Sequence, residues 1–294
     1  MQTKALFTGA ATALITPMTE NGVDWAALDR LVDFQLENGI PAIVACGTTG
    51  EATTLSDAEQ LDVIERVARR VAGRCCIIAG SGSNDTAHAI ELTKEACARG
   101  ADGVLVVTPY YNKTTQSGLV AHFTAIADAS AKPLILYNVP GRTGMTIAPS
   151  TYAALADHPM IAGIKEASGN MSAAAEILRL VGDKLAVYSG EDALITPMLS
   201  IGGAGVISVV SNVLPKETNA ICTRFFEGDV KGSAEMQLRL LPLINALFSQ
   251  TNPIPVKAAL SRMGYCEDRL RLPLIPMEEP FRAKLFAEMA ALGL

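Results

Sequence analysis

The feature that most constrains this chain is a repeat of short apolar runs, each followed by a polar loop and a helical pattern. The runs are ATALITP (11–17), AIVACGTT (42–49), CCIIAGSG (75–82), GVLVVTP (103–109), PLILYNVP (133–140), IAGIKEAS (161–168), LAVYSGED (185–192) and GVISVVSN (205–212). They recur roughly every thirty residues and are apolar on successive positions rather than on alternate ones. A strand apolar on both faces must be covered on both faces, which is the condition of a parallel sheet wrapped by helices. Eight strand–helix units point to a sheet closed into a (β/α)₈ barrel. An open doubly wound sheet needs a Gly-x-Gly-x-x-Gly turn after its first strand, and TPMTENG (16–22) is not one. AGSGSND (79–85) carries only Gly-x-Gly.

The segments between the runs carry helix signals. SDAEQLDVIERVARRVAG starts at Ser56 as N-cap, has Glu59 at the reciprocal capping position and ends at Gly73. NDTAHAIELTKEACARG places Ala87, Ile90, Ala96 and Cys97 on an apolar face and ends at Gly100. The eighth helix is expected in PKETNAICTRFFEGD, after which three amphipathic segments follow, separated by Pro and Gly. The expected organisation is a barrel over 1–228 and a C-terminal helical extension over 229–294, packed with the barrel and without a linker.

Composition narrows the function. Apolar residues make up 49% and charged ones 18%, so a large core forms and disorder is excluded. A net charge of −6, with both signs mixed along the chain, argues against nucleic acid as a partner. No uncharged apolar run has the length of a membrane span. The opening MQTKALFTGAATALITPM reads as a strand entering a loop rather than as a cleaved leader. Six cysteines lack Cys-x-x-Cys spacing, Cys75 and Cys76 are adjacent, and His88, His122 and His158 are far apart. The expectation is a reduced, cytoplasmic protein with no metal and no cofactor.

Barrel enzymes carry their reacting groups at the C-terminal ends of the strands and in the loops beyond them. Here those places hold CGTTGE (46–51), TPYYNK (108–113), YNVPGRTG (137–144), Lys165, YSGED (188–192) and GGAGVIS (202–208). Taken singly, most also read as caps, rim aromatics, turns or close packing. Lys165 resists that reading. It lies inside an apolar strand, where an unpaired charge costs several kcal/mol to bury. With side chains alternating along a strand, Lys165 points into the barrel if Ile164 faces the helices. Desolvation favours the neutral amine of a lysine, and a neutral amine attacks carbonyls to form a Schiff base. That chemistry needs a proton carrier; with the histidines badly placed, Tyr137 on the neighbouring strand is the first candidate.

Together GTTGE, TPYYN, YNVPGRTG, GIKEAS, YSGED and GGAGVISVVSN stand in the order found in the dihydrodipicolinate synthases, a family the whole chain resembles. The resemblance implies a pyruvate-dependent aldolase of the TIM-barrel class that condenses pyruvate with L-aspartate 4-semialdehyde, on the route to diaminopimelate and lysine. It implies Lys165 as the Schiff-base residue and Tyr137 as proton donor and acceptor, relayed through Thr48 to Tyr111. The last of these comes from a neighbouring subunit, so a homodimer or a homotetramer built as a dimer of dimers is expected. Thr49 would bind the pyruvate carboxylate, Gly190 and Ile207 would line its site, and Arg142 would hold the semialdehyde carboxylate. A guanidinium fork suits that last task because it pairs two oxygens at once.

Family members inhibited by lysine bind it at an interface site, to which Ala52, Asn84, His88 and Tyr110 correspond here. His88 stands where sensitive members have a glutamate, and Asp57 and Gln60 where some have histidines, so weak or absent inhibition is expected. N-acetylneuraminate lyases and 2-keto-3-deoxy-sugar acid aldolases share the lysine and tyrosine, and Arg142 separates this chain from them. A non-catalytic keto-acid sensor has no use for a proton relay.

Overall fold

The computed structural model describes residues 5–294; residues 1–4, which open the leader-like stretch and the expected barrel domain, lie outside the described residues. In chain order the strands are β1 (Gly9–Ala13), β2 (Met18–Thr19), β3 (Gly22–Val23), β4 (Ala42–Ala45), β5 (Cys76–Gly80), β6 (Gly103–Val107), β7 (Leu134–Asn138), β8 (Ile161–Glu166), β9 (Ala186–Ser189) and β10 (Gly205–Ser208). The α-helices are α1 (Trp25–Glu37), α2 (Asp57–Val71), α3 (Thr86–Ala98), α4 (Gln116–Ala129), α5 (Pro140–Thr143), α6 (Pro149–Leu155), α7 (Met171–Val181), α8 (Ile195–Ser200), α9 (Pro215–Phe226), α10 (Val230–Leu247), α11 (Ile254–Arg262) and α12 (Glu279–Ala291).

Eight of the strands close into a barrel in the order β1-β10-β9-β8-β7-β6-β5-β4, and the paired neighbours given in register are parallel. Each falls inside one of the apolar runs or overlaps it, and in most the polar tail of the run is loop. The short antiparallel hairpin β2–β3 occupies TPMTENG, which the sequence pattern does not reveal.

Side-chain alternation sorts the strand residues into two apolar clusters. Val44, Ile78, Leu105, Ile135, Tyr137, Tyr188 and Ile207 fill the barrel, whereas Ile43, Leu134, Leu136, Ile164 and Val187 face the helices. Burying each such side chain contributes about 1.5–3 kcal/mol, so continuous apolar strands are what this closure requires. One end of the barrel is plugged by aromatics. Phe7 stacks on Tyr188 with ring centroids 4.3 Å apart, and the Tyr188 hydroxyl donates to the Phe7 carbonyl at 2.9 Å. Gly163 makes room for that ring, since a Cβ there would stand 3.2 Å from Tyr188 Cε2 and 2.9 Å from the Ala186 carbonyl.

The α2 capping box forms as expected: Glu59 N–H donates to Ser56 Oγ, and Ser56 N–H donates to the Glu59 carboxylate at 2.9 Å. In α3 the expected apolar face is out of phase at its start. Ala87 is exposed, and Ala89, Leu92 and Thr93 are the residues that turn inward with Ala96 and Cys97. The helix starts only after Asp85 as N-cap, which leaves Ala87 in a solvent-facing first turn. Beyond the barrel, α10 packs on α8 and α9, and α12 packs on α10 and α11. Among the described residues no helix is long and apolar enough to cross a membrane.

Candidate active site

Lys165 lies on β8 and is 7% exposed. Its partners in register are Tyr137 on β7 and Tyr188 on β9, both in the inner cluster, while Ile164 belongs to the outer one. The lysine therefore points into the barrel, on the side of the strand away from the helices. Its Nζ lies over the Tyr137 ring, 4.2 Å from the centroid. Among the described residues it has no hydrogen-bond or ion-pair partner. The next residue, Glu166, turns outward and accepts from Asn138 Nδ2 at 2.9 Å and from Ser168 N–H at 2.8 Å. Gly190 is required chiefly by Ala167, since a Cβ there would approach Ala167 Cβ to 2.5 Å, with Lys165 Cε next at 3.1 Å.

Above this pair opens a cleft of about 450 Å³, whose walls include Thr48, Leu105, Tyr137, Val139, Arg142 and Asn252. The sequence-derived residues Lys165, Thr49, Gly190 and Ile207 are set in the barrel around it and do not line it. Ile207 is buried in the inner cluster, on β10 beside Ala11. Thr48 and Thr49 sit on a tight turn after β4, in which Gly50 N–H donates to Gly47 O and Glu51 N–H to Thr48 O, each at 3.1 Å. Thr16 Oγ ties the turn to β1 by donating to the Gly50 carbonyl at 2.7 Å. Arg142 comes from α5, whose Pro140 presets the first helical turn. It is exposed, at the mouth, and donates to the Asn252 carbonyl at 2.8 Å.

Asn252 is a residue that sequence reasoning missed. It leads into α11 in the C-terminal extension, and its Nδ2 donates to Thr49 Oγ1 at 2.9 Å. One side chain and one carbonyl thus touch both Thr49 and Arg142. Only its position ahead of an expected helix in NPIPVKAAL marks it, and that composition reads as an ordinary turn. Glu51 and Lys257 were missed in the same way: the carboxylate of the first forms a fully buried ion pair with the ammonium of the second.

The two tyrosines of TPYYN separate. Tyr110 lines the cleft, whereas Tyr111 is 92% exposed with a left-handed backbone (φ 71°) and stands away from Tyr137. Ala52 and His88 line the outer part of the same cleft, while Asn84 lines it nowhere and donates to the Tyr110 carbonyl at 3.1 Å. His88 is more than a plain surface residue. Its Nε2 lies 3.1 Å from the Asp57 carboxylate and its Nδ1 3.2 Å from Ser83 Oγ. A carboxylate does stand in this corner, supplied by Asp57. Gln60 is buried and donates to the Gly80 carbonyl at 2.8 Å.

Two acids follow Lys165 in space. Burial holds the Glu191 carboxyl above its usual range, reinforced by the Asp192 charge and opposed by Lys165. Burial also raises Asp192, against hydrogen bonds from the Ser208 hydroxyl and the Val210 and Val209 N–H groups. Both carboxyls resist ionisation more than solvated acids do. Among the described residues no group of three or more His, Cys, Asp or Glu is arranged to hold a metal ion. What the arrangement can do is amine chemistry on a carbonyl, with a phenol beside the amine.

Known proteins are similar to this chain in sequence and in fold. The dihydrodipicolinate synthetase family model matches residues 6–292. The 4-hydroxy-tetrahydrodipicolinate synthase of Geobacter sulfurreducens is 52% identical, over 97% of this chain and 98% of that protein. The solved dihydrodipicolinate synthase of Thermotoga maritima superposes with a TM-score of 0.97 at 42% identity, over 98% of this chain and 99% of that one. The chloride-inhibited enzyme of Acinetobacter baumannii, solved with pyruvate, gives 0.95 at 44%, over 97% and 99%. Since these matches run through the loops of the cleft and the C-terminal helices as well as the barrel, the chain belongs to the dihydrodipicolinate synthetase family.

Proposed function

We propose that this chain is a lyase that condenses pyruvate with L-aspartate 4-semialdehyde to give 4-hydroxy-tetrahydrodipicolinate, through a Schiff base on Lys165. The observation that carries the reading is a lysine turned into the barrel, with no ion-pair partner among the described residues and its amine against Tyr137. The names of the relatives support it, as does the pyruvate complex of the Acinetobacter enzyme.

The amine attacks the ketone carbon of pyruvate, and loss of water from the carbinolamine leaves an iminium. Its positive nitrogen acidifies the methyl group, so a proton leaves carbon and an enamine forms. The enamine carbon attacks the aldehyde, whose oxygen takes up a proton. The amine of the semialdehyde then adds to the iminium carbon, and Lys165 is expelled as the ring closes. Tyr137 is the group placed to deliver and accept these protons at the lysine. Thr48, which lines the cleft with Tyr137, is the next member of the relay on this reading. Thr49, Gly190 and Ile207 shape the pyruvate end, and Arg142 at the mouth takes the semialdehyde carboxylate. These steps draw on side chains alone and call for no cofactor.

Tyr111 completes the relay in a neighbouring copy; its near-complete exposure and unusual backbone suit a side chain that is offered outward. The assembly is accordingly a homodimer at least, paired into a tetramer. Residues 1–228 form the barrel domain and 229–294 its extension. We place the protein in the cytoplasm. Lysine inhibits weakly or not at all, because His88 offers no fixed negative charge and the carboxylate in contact with it, that of Asp57, is engaged by the imidazole.

Borohydride reduction in the presence of pyruvate, followed by peptide mass analysis, tests the reading. The expected adduct is on Lys165, it is absent without pyruvate, and Lys165→Ala abolishes both adduct and turnover. Trapping at another lysine, or normal turnover in the variant, overturns the assignment. Turnover of pyruvate with sugar aldehydes but not with aspartate semialdehyde would transfer the chain to the sugar-acid aldolases.

A further inference from the structure

The turn that carries Thr48 and Thr49 is held from outside the barrel by a charge pair with no part in the chemistry. Glu51 closes the turn with φ 55°, a left-handed conformation that a non-glycine residue adopts at a cost. Its side chain is fully buried. One carboxylate oxygen meets Lys257 Nζ, and the other accepts the Arg271 N–H at 3.2 Å. Lys257, in α11, is 0% exposed and also donates to the Arg269 carbonyl at 2.8 Å. The Arg271 guanidinium reaches the far side of the same loop, donating to the Thr54 carbonyl at 2.7 Å and to Glu59 of the α2 cap. Burial draws the Lys257 ammonium below its usual range, and the Glu51 charge opposes this. Removing either partner leaves the other charge buried and uncompensated.

We propose that Glu51 and Lys257 are positioning residues that lock the Thr48–Thr49 turn against the C-terminal segment in the geometry the pyruvate site uses. The inference rests on the roles given above to Thr48 and Thr49. The pair compensates the left-handed strain at Glu51 and fixes where the two hydroxyls stand. Misplacement of a positioning group by about 1 Å costs on the order of a hundredfold in rate. A global loss of stability acts otherwise: it lowers the amount of active enzyme and leaves both KM values alone. Displacement of the turn raises the KM for pyruvate and lowers kcat, while Arg142, carried by α5 and touching the turn only through Asn252, moves less.

The test compares Glu51→Gln and the double variant Glu51→Gln/Lys257→Met with the wild-type full-length enzyme. The double variant removes both charges together, so it keeps the fold where the single variant strands a lysine. Expected in the folded double variant is a pyruvate KM raised about tenfold, a kcat lowered about tenfold, and a semialdehyde KM within about twofold of wild type. A double variant that melts as the wild type does and turns over with wild-type KM and kcat overturns the proposal, as does a fall in kcat with neither KM moved. Failure of the wild-type enzyme itself to form the pyruvate adduct would instead strike the underlying functional reading.

Discussion

Among the described residues the molecule buries two lysines and treats them in opposite ways. Lys257, where α11 meets the turn after β4, has a carboxylate and a carbonyl around its ammonium and is sealed from solvent. Lys165, inside the barrel, has an aromatic face against its amine and among the described residues no ion-pair partner, the Glu191 and Asp192 carboxyls lying beyond contact distance. A buried cation whose hydrogen bonds are satisfied holds two segments together. A buried amine with no hydrogen-bonding partner is free to meet a substrate carbonyl. The difference teaches that burial alone says little about a lysine; its partners decide the role.

The sharpest way to break this contrast is to remove each amine in turn. Lys165→Ala should cost most of the turnover and leave the melting temperature nearly unchanged, whereas Lys257→Met should destabilise by about 3–5 kcal/mol. Calorimetry and initial rates on the same preparations give both numbers, and a reversed pattern would dissolve the distinction. Next comes the partner of the reactive amine. Tyr137→Phe keeps the ring over Lys165 and loses only the hydroxyl, so turnover should fall by about 10²–10⁴. Pyruvate trapping should survive in part, and an unimpaired Phe variant would remove the tyrosine from the proton path.

A smaller effect sharpens the structural side. The Arg271 hydrogen bond, helped by the Ser56 cap, holds the Glu59 carboxyl down at about 2, well below its ordinary value of 4.5. A carboxyl lowered on folding stabilises the fold above its unfolded value. That contribution is present at neutral pH and is lost as the pH falls from about 4.5 toward 2. Thermal melts of wild type and Glu59→Gln should therefore differ by a few degrees at pH 7 and converge in acid. The pair is partly solvated, so added salt should narrow the gap as well. Curves that stay parallel down to pH 2 would remove the ion pair from the account of acid stability.

The barrel was legible because its strands are apolar on both faces, a demand that closure makes on composition. Ser56 and Glu59 were legible because a capping box is local, complete within four residues. Lys165 stood out as a charge in an apolar strand. Lys257 did not, since a lysine in an amphipathic helix looks the same whether it meets water or Glu51. Asn252 was hidden similarly, its two contacts being with residues far off in the chain. The phase of α3 shifted because its cap, Asp85, sets where the apolar stripe starts. Tyr110 and Tyr111 are adjacent and alike in sequence; a left-handed residue at Tyr111 turns one to the cleft and the other to solvent.

The stacked Phe7 and Tyr188 have a further consequence, for the order of events in time. They fill the barrel interior beside Lys165, whose register partner is Tyr188, and the cleft that holds Tyr137 and Arg142 opens at the other end. Whatever binds at Arg142 stands in that doorway. If Arg142 holds the semialdehyde carboxylate as proposed, the keto acid should arrive first, and an aldehyde that arrives early becomes an obstacle to it. On that reading traffic through the barrel is single file, its direction set by two rings packed away from the mouth.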